Sequence, residues 1–168
     1  MPLRSLPDPD LGFEAAGAQL PSLCEDAMFQ VSREIHFCYG HRLLEYEGKC
    51  RHLHGHNGKA VITIEASDLD HRGMVVGFSE IKQVVSRWID EHLDHRMLLR
   101  HDDPLVPLLR EAGEPLFVMD VNPTAENLAR LIYRVARERG IAVVEVRLWE
   151  TPQCCASYCP EPGQPERH

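Results

Sequence analysis

The chain has 168 residues, 43% hydrophobic and 26% charged, which is enough for one domain with a real core. Its formal net charge of −8 argues against broad nucleic-acid binding, which needs a basic surface, but leaves room for a small anionic substrate met by local positive charge. No apolar run reaches the roughly 18 residues of a membrane span, and the N-terminus lacks a basic region followed by an apolar core, so a cytoplasmic protein with its six cysteines held as thiols is expected.

Residues 1–27 carry Pro2, Pro7, Pro9 and Pro21 with little periodicity, which predicts an extension, flexible or loosely docked. "MFQVSREIHFCYGHRL" (28–43) alternates Phe29, Val31, Ile35 and Phe37 and predicts a strand. "GKAVITIEASDL" (58–69), rich in β-branched residues, predicts a second. "GFSEIKQVVSRWIDEHL" (77–93) changes to helical spacing, with Ile81, Val84, Val85, Trp88 and Ile89 on one face, Gly77 as N-cap and Glu80 three residues on. Asp94 to Glu114 reads as an irregular surface segment with a short helix. "PLFVMDV" (115–121) is a short strand. "NPTAENLARLIYRVARERG" (122–140) is a helix capped by Asn122 or Thr124, with Pro123 in its first turn and Gly140 as its stop. "IAVVEVRLWET" (141–151) is a final strand, and "PEPGQPERH" from Pro160 reads as a tail. The sum is an α+β domain, residues 28–159, with an antiparallel sheet.

The chemistry concentrates in "CRHLHGH" (50–56). His54 and His56 are two apart on an extended stretch, so their imidazoles leave the same face. His52 shares that parity, but about 13 Å of extended chain separates it from His56, too far for one ion. His41, at the end of the first strand, is the better third ligand, returned beside the pair by a short connection; Cys50–His54–His56 is also open on spacing alone. His36 and Cys38 have the opposite parity and read as structural. Three neutral imidazoles favour zinc and leave a position open, as catalytic sites do.

Six segments occur together in order: "GHRL" (40–43), "CRHLHGH" (50–56), "MVVGFSEIK" (74–82), "LDHRML" (93–98), "NPTAENLA" (122–129) and "WET" (149–151). With them the chain resembles the 6-pyruvoyltetrahydropterin synthase family, and the three-residue gap between Cys50 and His54 resembles its 6-carboxytetrahydropterin branch. The resemblance covers about Met28 to Tyr158. It implies the tunnelling fold (T-fold), a four-stranded antiparallel sheet with two helices on one face, assembled as a homohexamer from two trimers. It implies Zn2+ on His41, His54 and His56, and Cys50 as the catalytic thiol. Lys49 and Arg51 flank that thiol, and such cations together with a metal favour the thiolate.

Asp94 and His95 match the family's Asp–His pair, which assists proton transfer from a neighbouring subunit and works as a unit only on irregular backbone. Glu150 matches the pterin anchor, a carboxylate accepting from the ring's amino group and N–H. Thr124 and Glu126 fall near the family's pterin pocket, with helix capping the favoured role and substrate contact the lesser one. The implied substrate is 7,8-dihydroneopterin triphosphate, for whose phosphates Arg42, Lys49, Arg51, Arg96 and Arg100 are unranked candidates, Arg51 being grouped with Glu150 and Thr124 as substrate-binding. Gly77 stands where the family usually has Asp or Asn, Arg96 where that branch often has histidine, and the thiols Cys154, Cys155 and Cys159 read as unpaired.

Overall fold

A computed structural model describes residues 28–160, so the expected N-terminal extension and the tail from residue 161 lie outside the described residues. Strands β1 (Phe29–His41) and β2 (His54–Ala66) pair antiparallel along their whole length, Phe29 opposite Ala66 and His41 opposite His54. β2 begins four residues earlier than its β-branched run suggests, which takes His54 and His56 into the ladder. Strands β3 (Arg96–Arg100), β4 (Leu116–Met119), β5 (Val143–Thr151) and β6 (Cys154–Tyr158) complete one sheet in the order β4-β3-β1-β2-β5-β6.

The four expected strands are therefore present, and the sheet carries two more. β3 lies in the segment read as irregular and pairs parallel with both β1 and β4, which makes the sheet mixed. β6 closes a hairpin onto β5 through Pro152 and Gln153. Both additions are five residues long. Neither shows period-two alternation of apolar and polar residues: β3 buries the consecutive Leu98 and Leu99, as strands covered on both faces do.

One face of the sheet carries the core. Ile35, Phe37, Tyr39 and His41 alternate inward from β1, and Ala60, Ile62 and Ile64 do so from β2. Against them pack α1 (Phe78–Ile81), a π-helical turn (Lys82–Ser86) and α2 (Arg87–His92), together with α4 (Ala125–Glu138). The helix expected over 77–93 is thus continuous but widened by one π turn, and it still buries Ile81, Val85, Trp88 and Ile89. Its N-cap is Gly77, whose carbonyl takes the Glu80 N–H at 2.9 Å. The short helix expected in the middle segment is α3 (Leu105–Glu111).

In α4 the buried Leu128, Ala129, Ile132, Tyr133 and Ala136 follow helical spacing. Each large side chain so buried stabilises the fold by about 1.5–3 kcal/mol. Thr124 is the cap, accepting the Asn127 N–H at 3.3 Å, so Pro123 precedes the helix rather than opening its first turn. Gly140, at φ +87°, ends it, and the Ile141 N–H turns back to the Ala136 carbonyl. Among the described residues no helix is long and apolar enough to cross a membrane.

Candidate active site

The register of β1 on β2 builds the site. His41 and His54 are a direct cross-strand pair and Tyr39 faces His56, so three imidazoles and a phenol share the core-side face at the sheet's end. Ring centroids of the three histidines lie 4.5–5.0 Å apart, and one ligating nitrogen from each lies within 4.8 Å of the others. Gly55 separates His54 from His56. A β-carbon there would come within 3.1 Å of the Tyr39 carbonyl oxygen, a tight contact that glycine avoids at this close approach of the strands.

Hydrogen bonding settles the tautomers. His41 Nδ1 faces the Pro123 carbonyl at 2.7 Å, and His54 Nδ1 faces the His52 carbonyl at 2.8 Å. A carbonyl only accepts, so both Nδ1 atoms carry protons, which leaves Nε2 as the atom each ring can offer as a lone pair. Those two Nε2 atoms stand 3.0 Å apart. The buried Nε2 of His56 has no hydrogen-bond partner. Two Nε2 lone pairs facing each other beside an unpartnered imidazole nitrogen fit a cation. Burial lowers the His41 pKa below the ordinary imidazole value, against the Pro123 carbonyl and Glu150, which raise it; the ring is therefore neutral and ready to ligate. The residues present fit a zinc-type ion, and His41, with 2% of its surface exposed, is its inner wall.

Glu150 extends from β5 to the same place, with Oε1 3.8 Å from His41 Nε2. Tyr39 donates to that oxygen at 3.0 Å. Burial, then the charge and hydrogen bond of Glu150, push the Tyr39 phenol far above its usual range, which keeps it a donor at neutral pH. Tyr39 was not singled out in the sequence, although it has the parity of His41, two residues on.

Cys50 sits in a 3-10 turn (Lys49–Arg51), half-buried, and lines a cavity of about 320 Å3 with His41, Thr124, Glu126 and Glu150. Thr124 therefore both caps α4 and lines this cavity. Cys154 and Cys155 lie on its rim. His52, by contrast, is exposed, accepts from Arg51 Nε at 3.1 Å, and lends the histidine cluster only its carbonyl.

The basic residues divide. Arg42 grips the buried Asp103 with two hydrogen bonds, one of 2.7 Å. Arg100 is held by Asp102 and Glu45, and Arg96 donates to the Glu91 carbonyl. Lys49 and Arg51 stand beside Cys50, exposed.

Asp94 and His95 lie elsewhere. His95 has φ +54°, the irregular backbone that the pair requires. Asp94 accepts the Cys38 N–H at 2.8 Å with one oxygen and meets His95 Nδ1 at 2.7 Å with the other. Burial opposes ionisation of Asp94, but these bonds outweigh it and hold the carboxyl below its ordinary range. His95 lines a separate cavity of about 840 Å3, whose walls also include Cys38, His54 and His56. Within one chain, then, the pair is not brought to the cavity that Cys50 lines.

A six-stranded sheet in an α+β domain, with three convergent imidazoles at its end, defines a protein with a histidine cluster able to hold a metal ion. The family model described as 6-pyruvoyl tetrahydropterin synthase matches residues 30–161, and the chain belongs to that family. A relative from Rickettsia conorii, named 6-carboxy-5,6,7,8-tetrahydropterin synthase, is 37% identical over 134 residues, covering 76% of this chain and 97% of the relative. One of the same name from Haemophilus influenzae is 32% identical, covering 78% and 99%. Among solved structures, an uncharacterized protein from Wolinella succinogenes matches with a TM-score of 0.67 and 29% identity, over 80% of this chain and 99% of that one. The Caenorhabditis elegans 6-pyruvoyl tetrahydropterin synthase, at 22% identity and TM-score 0.61, shares the T-fold.

Proposed function

We propose that the chain is a zinc-dependent carbon–carbon lyase, a 6-carboxytetrahydropterin synthase. It converts 7,8-dihydroneopterin triphosphate to 6-carboxy-5,6,7,8-tetrahydropterin with release of acetaldehyde and triphosphate, on the route to queuosine. The observation that carries this reading is the placing of Cys50, Glu150 and the ligand His41 around one cavity. The names of the relatives from Rickettsia and Haemophilus support the branch.

His41, His54 and His56 hold the zinc, which when bound supplies Lewis acidity toward the substrate's side-chain oxygens. Glu150 anchors the pterin, its carboxylate accepting from the ring's amino group and N–H while Tyr39 fixes its orientation. Cys50 moves a proton at Sγ. Asp94 orients His95 through Nδ1, leaving Nε2 to exchange a proton. Because His95 lines a different cavity from Cys50, the reading assigns the pair to a neighbouring subunit's site in a homohexamer. Such an assembly also covers the edges left by β4 and β6. Arg51, with Lys49, meets the triphosphate. A cytoplasmic setting agrees with Cys38, Cys50, Cys154, Cys155 and Cys159 all being free thiols.

The test is mass spectrometry of products after zinc-loaded protein meets 7,8-dihydroneopterin triphosphate. A carboxylated tetrahydropterin with acetaldehyde is expected. A pyruvoyl product, or a side chain cleaved as for folate synthesis, would move the chain to another activity of the same site. No turnover with zinc bound would overturn the enzymatic reading in favour of a zinc- or pterin-binding protein.

A further inference from the structure

Cys38 stands on the face of β1 opposite His41, exposed, with Asn57 across the ladder as its neighbour. Its Sγ lies 3.2 Å from Asn57 Oδ1. Its main chain is locked to the Asp–His pair at both ends: Cys38 N–H to Asp94 Oδ1 at 2.8 Å, and His95 N–H to the Cys38 carbonyl at 2.6 Å. The sulfur of Cys38, a carboxylate oxygen of Asp94 and a ring nitrogen of His95 consequently lie within 4.8 Å of one another. This thiol is distinct from Cys50 and has no role in the proposed reaction.

The geometry points to a second divalent-metal site at Cys38, Asp94 and His95, a thiolate–carboxylate–imidazole set whose occupation withdraws the Asp–His pair from proton transfer. The donors are those that zinc and cobalt accept, sulfur and nitrogen with one oxygen. Binding displaces the Cys38 Sγ proton to solvent and moves the His95 Nδ1 proton to Nε2, so that thiolate plus carboxylate balance the 2+ charge and the imidazole ligates neutral. Asp94 Oδ2 and His95 Nδ1 stand 2.7 Å apart across a shared proton, a place that an ion takes over by replacing that proton. Cys38 and His95 both line the 840 Å3 cavity, so an ion has an approach. The set is more exposed than the three-histidine cluster, with 79% of the His95 side chain accessible, and its affinity is accordingly the lower of the two.

Occupation by a metal as such is independent of the proposed reaction; the inhibitory consequence rests on it. Metal-free protein titrated with Co2+ tests the site. Two equivalents per chain are expected, with a sulfur-to-cobalt charge-transfer band growing on the second. The band is lost in Cys38→Ser, which keeps the first equivalent and the wild-type melting curve, and it is retained in Cys50→Ser. A single equivalent, or a band that survives Cys38→Ser, overturns the site. Failure of the first equivalent in the wild type would instead count against the three-histidine reading. For the consequence, turnover is followed as Zn2+ rises from one to two equivalents, each protein scaled to its own one-equivalent rate. General acid–base assistance is worth about 10²–10⁴-fold, so a fall of about tenfold or more is expected in the wild type and none in Cys38→Ser. An unchanged wild-type rate with the second ion bound would overturn the inhibition and leave the site standing.

Discussion

His41 Nε2 lies 3.0 Å from His54 Nε2, although each ring has already committed its Nδ1 proton to a carbonyl oxygen. Without a cation, the two Nε2 atoms face each other with no donor between them. With a cation, both neutral rings are satisfied together. The cross-strand pairing of the two residues makes this a property of the sheet register, so the centre is built by the fold before any ion arrives.

Metal binding should therefore stabilise the chain without reshaping it. Zinc at about 100 times its dissociation constant should raise the unfolding free energy by about 2.7 kcal/mol, seen as an upward shift of the thermal midpoint. His41→Ala should abolish the shift. A shift that survives the substitution would assign the stabilising ion to another place.

Asn122 is the clamp behind His41. Its side chain accepts from the Leu44 N–H at 3.0 Å and donates to the Leu44 carbonyl at 2.9 Å, while Asn127 holds its own carbonyl. This fixes the turn whose next residue, Pro123, supplies the oxygen against His41. Asn122→Ala should weaken zinc affinity by about 10–100-fold, the usual cost of losing an orienting partner. Competition with a chromophoric chelator measures it; unchanged affinity would show that Pro123 keeps its place without the clamp.

Much of this centre was legible in the sequence because strands have a period of two. Parity alone put His54 with His56 and set Cys38 apart. What it could not supply was register, since the loop from Arg42 to Leu53 could return β2 in several alignments, and only one sets His41 against His54. Asp103, Tyr39 and the Pro123 carbonyl were invisible for the same reason: their partners are 61, 111 and 82 residues distant. β3 escaped because Leu98 and Leu99 are both buried, which erases alternation, and β6 because "CCASY" holds no β-branched residue. The π turn in the first helical segment keeps helical spacing on both sides and so leaves no mark in the pattern.

Asp103 anchors the loop after β1. Its side chain is fully buried, grips Arg42 and takes the Leu105 N–H at 2.8 Å. Burial raises its pKa, but Arg42 and the Leu105 N–H outweigh that and hold it below the ordinary carboxylate value. A pKa lowered by folding contributes stability above the unfolded value, near 3.9, and loses it as pH falls through the folded one. Asp103→Asn should cost about 3 kcal/mol at neutral pH by leaving Arg42 without its charge partner. Denaturant melts should show the gap narrowing only below about pH 4; a gap constant down to pH 2 would remove the ionic account.

Cys50 lines the His41 cavity but is not in the histidine cluster. Cys50→Ala should keep its zinc and lose about 10²–10⁴-fold in turnover, the range for a proton-transfer group. Metal analysis and single-turnover rates on one preparation separate the two effects. Loss of zinc with the thiol would restore the Cys50–His54–His56 site and displace His41.

Triphosphate recognition follows from which cations are already engaged. Arg42 and Arg100 each face carboxylates, so turning either toward a phosphate would abandon an ion pair, in the case of Arg42 one with a buried partner. Lys49 and Arg51 lie on the turn that carries Cys50 and need no such sacrifice. A charged hydrogen bond is worth about 1.5–3 kcal/mol, so Lys49→Ala and Arg51→Ala should each raise KM for the triphosphate by about tenfold or more. Neither should alter binding of dihydroneopterin lacking phosphates, and that pairing separates charge recognition from damage to the Cys50 turn. Steady-state kinetics with the triphosphate and titration with the unphosphorylated pterin decide it. Equal losses on both would mean that the turn itself had moved, and no loss on either would place the phosphates against another part of the assembly.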